Sequence, residues 1–291
     1  MSAAASAPAV RRRSGGLLAR LVRSPLGLFG LSLTLLVTIM AVFATQLAPV
    51  GPLEQDIMGR LGGPSLGHLL GTDQFGRDTL ARILFGYRAS LGVAVGAVGV
   101  ALLVGGTLGI LAAYLGGWFD RIVMRLMDVL LAFPVILLAI GVVAVLGQGS
   151  FNTALAIGVV YIPTFARLLR GPALILKSSE YVSAAHALGA SDSRIVFRHI
   201  LPNIVAVVLV QTSLALSTAI LVEASLSFLG LGTRPPNPSL GLMLSEARTF
   251  LTLQPWPAVF SGMAILLASL GFNLLGDSLR DILDPRLRGQ T

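Results

Sequence analysis

The sequence predicts an all-α integral membrane protein with six transmembrane helices and both termini on the cytoplasmic side. Three observations lead there: too little charge for a water-soluble surface, a series of charge-free runs of spanning length, and a one-sided distribution of arginine. Of 291 residues, 55% are hydrophobic and 12% charged, against about 25% charged in an ordinary soluble domain. Cysteine is absent, which removes disulfide staples, thiolate nucleophiles and cysteine-based zinc or iron–sulfur sites from this chain.

The first run is uncharged from 26 to 48 and follows Arg11, Arg12, Arg13, Arg20 and Arg23. At 1.5 Å per residue it extends about 35 Å, enough for a hydrocarbon core of about 30 Å. A cleaved leader would have an apolar region of only about 7–15 residues, so the run is expected to be retained. The second run is 89–119. The third, 129–166, is too long for one helix, and Gly147-Gln148-Gly149-Ser150 is the expected turn between spans three and four. A fifth span is expected between Pro202 and Glu223, and a sixth from near Pro257 to Asp277. The resulting division is a tail over 1–25, a first span over 26–48, an extracytoplasmic loop over 49–85, a five-helix core over 86–277 with a cytoplasmic loop at 167–202, and a tail over 278–291.

Cytoplasmic segments near span ends retain Lys and Arg. With the N-terminus inside, only Arg60, Arg77, Arg82, Arg88, Arg234 and Arg248 of the 21 cations fall outside. Acids divide almost evenly, so the inside segments carry the whole net charge of +8. The basic balance is therefore a topology signal, and nucleic acid is not an expected partner; the lipid bilayer is.

Span two contains Gly92, Gly96, Gly99, Gly105, Gly106 and Gly109, with two Gly-x-x-x-Gly spacings. Small residues let helix backbones approach closely in lipid, where apolar area gives little drive for association. The spacing leaves open whether the partner is another helix of this chain or a second subunit.

Chemistry of the chain's own is hard to find. Lys177 is the only lysine and follows Leu176, so no phosphate loop ending in Gly-Lys-Ser/Thr exists. Gly63-Pro64-Ser65-Leu66-Gly67 matches a nucleophile elbow only in letters, because no strand precedes it. His68, His186 and His199 lack metal-ligand spacing. No catalytic residue, cofactor or metal is expected, and ionisable residues are nearly absent from mid-span. Glu223, at the expected outer end of span five, reads as an interfacial or subunit-contact residue.

Between spans four and five, Ser178 or Ser179 can cap a short helix containing Glu180, Ala184 and Ala185, and Gly189 suits the position after its end. Ser191 or Asp192 can cap a second helix ending by Pro202. The small residues would let another protein approach the first helix closely. This loop resembles the cytoplasmic signature of permease subunits of ATP-binding-cassette importers: Ala184, Ala185, Gly189, Leu201 and Pro202 match at the right spacing, with Ser183 in place of Glu, His199 in place of Ile, and Glu180 nearby.

More specific are the stretch from His68 to Arg82, Tyr87 to Leu91, Gly116 to Arg121, Met127-Asp128, Phe133-Pro134 and the run from Glu223 to Gly232. These resemble the dipeptide, oligopeptide and nickel importer permeases, nearest to the oligopeptide permease C type, from about Arg20 to Arg286.

The resemblance implies a type I importer permease fold in a bacterial cytoplasmic membrane. It also implies a homologous second permease, two ATP-binding domains, separate or fused, that hold ATP and Mg, and an extracytoplasmic binding protein delivering peptide. By the same analogy Glu180, Ala184, Ala185, Gly189, Leu201 and Pro202 couple to the ATPase and transmit its closure to spans four and five. Gly71, Asp73, Gly76, Arg77, Asp78 and Glu223 would form an outer gate or contact the binding protein, although Asp73, Gly76 and Asp78 equally suit a rigid turn. A self-contained channel or ion-coupled carrier, and import of nickel or another small solute, are the alternatives.

Overall fold

Helix ends follow the local capping chemistry of the sequence. The computed structural model describes residues 17–283; Arg11, Arg12, Arg13, Arg286 and Arg288, with the ends of both expected tails, lie outside the described residues. A short helix α1 (Leu17–Arg23) leads into α2 (Pro25–Val42), where Ser24 accepts a hydrogen bond from the Gly27 amide and Pro25 occupies the first turn. Proline is tolerated there because the first-turn amides have no helical partner. One further turn, α3 (Ala44–Leu47), continues the first span.

The second span begins earlier than the charge-free run suggests. Asp78 accepts from the Ala81 amide at 2.7 Å and caps α4 (Thr79–Val100). A π-helical turn over Ala101–Gly106 and α5 (Thr107–Leu115) complete one continuous rod of 37 residues. Arg82 and Arg88 therefore lie inside this helix, which starts six residues before the expected loop end at residue 85.

The third span is not a straight helix starting at Val129. An amphipathic helix, α6 (Gly117–Leu131), is followed by a sharp break and α7 (Val135–Leu146), bent by 96° from it. Pro134 fixes its own φ, and its ring disfavours helical backbone at Phe133, so the break falls there. At 12 residues, α7 extends about 18 Å, short of a bilayer core. Gly147 and Gly149, both with positive φ, form the expected turn into α8 (Ser150–Lys177).

After α8 come α9 (Glu180–Ala187), α10 (Asp192–Ile195), a π turn over Val196–Ile200 and α11 (Leu201–Phe228). The sequence places a helix end at Pro202, but Asp192–Phe228 runs through it as one rod of 37 residues. Proline crowds the carbonyl one turn back, and the wider π turn immediately before it makes room. The chain closes with α12 (Leu240–Arg248) and α13 (Trp256–Leu283). Among the described residues, five helices are long and apolar enough to cross a membrane, or six if the bent pair is one span.

Two layers of packing hold the bundle. One joins α2, α11 and α13, where Gly30 abuts Leu274 and Leu275, Gly271 abuts Leu33 and Thr34, and Gly276 abuts Leu214. Ser213 donates to the Phe272 carbonyl at 2.9 Å and Ser217 to the Ser269 carbonyl at 2.8 Å. The other layer lays the α4–α5 rod against α8. A Cβ at Gly105 or Gly109 would overlap the carbonyl oxygen of Ile162 or Ala166, and one at Gly158 would press on Val100. The second Gly-x-x-x-Gly spacing of the rod is thus consumed within this chain. The first is not: Gly92 has no atom within 4 Å of its Cβ position, and Gly96 meets only Ala154 at 3.6 Å.

Replacing Gly109 with Val is expected to destabilise the detergent-solubilised protein by about 1–3 kcal/mol through overpacking, whereas Gly92→Ala, which fills open space in a helix interior, holds or raises the thermal midpoint. Equal melting curves for the two variants would remove the α5–α8 approach as a stability determinant.

Candidate functional site

The sequence-predicted residues gather at two opposite ends of the bundle. At the end carrying residues 49–78, Thr72 and Asp78 form an antiparallel bridge that closes a tight loop. Asp73 organises it: its Oδ1 accepts from the amides of Phe75 (2.8 Å) and Arg77 (3.0 Å), and its Oδ2 from Arg77 Nε (2.6 Å). Gly76 has φ +75°, and a side chain there would overlap the carbonyl of Asp56, so glycine is required on both counts. Gly71 also has positive φ and is packed on Gly62. Asp78 uses one oxygen to cap α4 and the other to meet His68 Nδ1 at 2.8 Å.

Charge ties this loop to α4 and α12. Arg77 Nη2 donates to Glu246 Oε2 at 3.0 Å, Arg82 Nη2 reaches the same oxygen at 3.2 Å, and Arg82 Nε lies 3.5 Å from Asp73 Oδ2. The four side chains form a neutral quartet, with Arg82 only 1% exposed. Burying such charges is costly in isolation, and mutual pairing offsets most of the cost. Of residues 71–78 only Phe75 is exposed, with the Arg77 guanidinium 4.5 Å above its ring. Gly71, Asp73, Gly76, Arg77 and Asp78 are therefore brought together as an internal frame.

Glu223, read from the sequence as a contact residue, is 1% exposed inside this chain, where Ser227 donates to its Oε1 at 2.6 Å. The neighbouring loop is fastened to α8 by Ser150–Thr233 (3.0 Å) and Thr153 to the Leu231 carbonyl (3.3 Å).

At the other end, α9 sits between the ends of α8 and α11. The amide of Gly189 (φ +83°) donates to the His186 carbonyl (2.9 Å) and that of Ala190 to the Ala185 carbonyl (3.1 Å), the paired bonds that terminate a helix through a left-handed glycine. Ser179 precedes α9, but its hydroxyl donates back to the Leu176 carbonyl rather than capping the helix. Val182, Ile195 and Ile200 anchor the segment in a small core with Ile110, Ala113, Leu169, Ala173 and Ile204. The opposite face is open: Glu180, Ala184, Gly189 and Pro202 are exposed, Ala185 and Leu201 half-buried, and Leu188 and Phe197 are 89% and 70% exposed.

Polar links surround this end. Arg170 makes a bidentate pair with Asp120, both bonds 2.6 Å, and Arg167 pairs with Asp128, joining α6 to α8. Among the described residues no group of three or more His, Asp or Glu is arranged to hold a metal.

Sequence reasoning missed Glu246, Arg82 and Tyr114. The first two are more than 160 positions apart, so no local spacing links them. The signal available was the equal number of cations and acids in the segments at that end.

Among the described residues, apolar helices of spanning length thus carry a shielded ionic frame at one end and a short, outward-facing helix, α9, at the other. Residues 105–289 match the family described as binding-protein-dependent transport system inner membrane component, and 16–64 the N-terminal domain of oligopeptide transport permease C. The chain is 45% identical over 269 residues to the dipeptide transport system permease protein DppC of Alkalihalophilus pseudofirmus, covering 92% of this chain and 88% of that one. It is 49% identical over 260 residues to the glutathione transport system permease protein GsiD of Pectobacterium atrosepticum, covering 89% and 86%. A chain of the MetNI methionine ABC transporter, in an inward-facing conformation, superposes with TM-score 0.57 at 16% identity, over 70% of this chain and 97% of that one. This chain belongs to the binding-protein-dependent inner membrane component family and is an ABC-importer permease subunit with the type I permease fold.

Removing one member of the buried quartet, as in Arg82→Met, leaves carboxylates short of partners and is expected to cost about 3–5 kcal/mol. Denaturation of the purified protein measures this, and Arg82→Met/Glu246→Leu should recover part of the loss. A double variant no better than the single would argue against charge pairing as the cause.

Proposed function

We propose that this chain forms, with a homologous second permease, the membrane pathway for dipeptides or oligopeptides, glutathione among them. Peptide arrives on an extracytoplasmic binding protein, and two partner ATPase domains, which hold ATP and Mg, drive its passage. The chain sits in a bacterial cytoplasmic membrane with both termini inside. Support for the substrate class comes from the two relatives above, which carry dipeptide and glutathione transport in their names at 45% and 49% identity.

The observation that carries the mechanism is the two-faced α9 segment: an anchored underside and an open outer face of Glu180, Ala184, Gly189 and Pro202, with exposed Leu188 and Phe197 beside them. Exposed large apolar side chains rimmed by small ones suit a protein groove. In this reading Glu180, Ala184, Gly189 and Pro202 touch the ATPase, while Ala185 and Leu201 set how deeply it seats. ATP-driven closure shifts the bundle only through contacts that differ between its two states, so α9 must be held differently in each. The frame of Gly71, Asp73, Gly76, Arg77 and Asp78, with Glu223 beneath it, holds the opposite mouth in shape for the binding protein.

No atom lies within 4 Å of the Cβ position at Gly189, so a larger side chain would project outward, and its φ of +83° additionally strains any residue but glycine at this turn. Gly189→Arg is expected to insert at normal levels but to recover about tenfold less ATPase on co-purification, equivalent to a clash of about 1.4 kcal/mol, and to lose ATP-driven dipeptide uptake in proteoliposomes. Normal ATPase recovery with normal uptake would overturn the docking assignment.

A further inference from the structure

Both ends of the segment that carries α9 are fastened to a single residue of α5. At its start, Lys177 Nζ donates to the Tyr114 carbonyl at 2.5 Å and lies 5.5 Å from the centre of the tyrosine ring. At its end, Tyr114 Oη donates to Asp192 Oδ1 at 2.5 Å. Between these points, Val182, Ile195 and Ile200 pack with Ile110 and Ala113 of the same helix. Resting on the import reading above, we infer that Tyr114 is a positioning residue for transport: it clamps both ends of the α9 segment to the Thr79–Leu115 rod, so that ATPase closure moves that rod together with α9.

Apart from the single apolar anchor Val182, the other attachments of α9 are short links. Ser178 and Ser179 join it to α8, and the stretch from Leu188 to Ser191 joins it to α10. Connections this short still allow a helix to pivot, and a pivoting helix would dissipate a push from below. Two attachment points on one rigid rod remove the pivot. A hydroxyl donating to a carboxylate is charge-assisted and stronger than a neutral bond, and an ammonium over an aromatic face adds to it. The rod that receives the motion is the one packed on α8 through Gly105 and Gly109.

Tyr114→Phe keeps the ring and the carbonyl and deletes only the hydroxyl. In the reconstituted full complex, peptide imported per ATP hydrolysed should fall about two- to fivefold, which is what one solvent-exposed charge-assisted bond can supply. Asp192→Ala should reproduce this, Asp192→Asn should largely rescue it, and Tyr114→Phe/Asp192→Ala should be no worse than either single change. Because the chain has no cysteine, spin labels at Leu103→Cys and Ser193→Cys report the separation of rod and α10 without using peptide. With Tyr114 that separation stays fixed between nucleotide-free and ATP-analogue-bound complexes; in Tyr114→Phe it broadens or shifts. An unchanged import ratio and an unchanged distance in Tyr114→Phe would overturn the clamp. Failure of the unsubstituted complex to import peptide would count against the import reading, while the label distances still decide the clamp.

Discussion

Everything in this bundle depends on how closely the α4–α5 rod can approach α8. Between helices in lipid, apolar area gives little net drive, and association relies on dispersion at short range and on polar pairing. Gly105 and Gly109 place the rod directly against the carbonyls of Ile162 and Ala166, where no side chain fits. That contact sets the position of Ile110 and Ala113, which floor the small core under α9, and of Asp78 and Arg82 at the other end of the same rod.

Polar fasteners then fix what packing leaves free. Hydroxyl groups on α11 donate to carbonyls of α13, which gives each serine O–H a partner that lipid cannot offer. At the two ends the fasteners are ionic but differ in environment. The quartet of Asp73, Arg77, Arg82 and Glu246 is shielded and neutral, whereas Arg167 and Asp128 are each about half exposed.

Span number, the Gly147–Ser150 turn, the Gly189 terminus and the role of small residues are all legible from the sequence, because each rests on local chemistry: length, glycine backbone or helix capping. The start of α4 at Thr79 is not. Arg82 and Arg88 interrupt the charge-free run, and Arg82 is neutralised by Glu246, which no spacing rule connects to it. The bend at Phe133-Pro134 is hidden for the converse reason: an apolar run is continuous in composition even where proline breaks its geometry. Pro202 misleads in the same way, since the π turn that accommodates it has no compositional mark. Among the candidate site residues, Glu180, Ala184, Gly189 and Pro202 around α9 are exposed and Ala185 and Leu201 half-buried, while Glu223 and the Gly71–Asp78 group are buried. Sequence identifies such residues as special without saying which way they face.

The contrast between the two ionic ends has a mechanical consequence. Exposed pairs contribute about 0–1 kcal/mol each and exchange readily with water, whereas breaking a buried pair costs several times more. The frame at one end is therefore held by shielded charges, while at the other the bidentate Arg170–Asp120 pair and the Tyr114 contacts must hold α6, α8 and α9 beside a more exposed Arg167–Asp128 pair. A load applied at the α9 end thus meets weaker individual contacts than one applied at the frame built on Asp73.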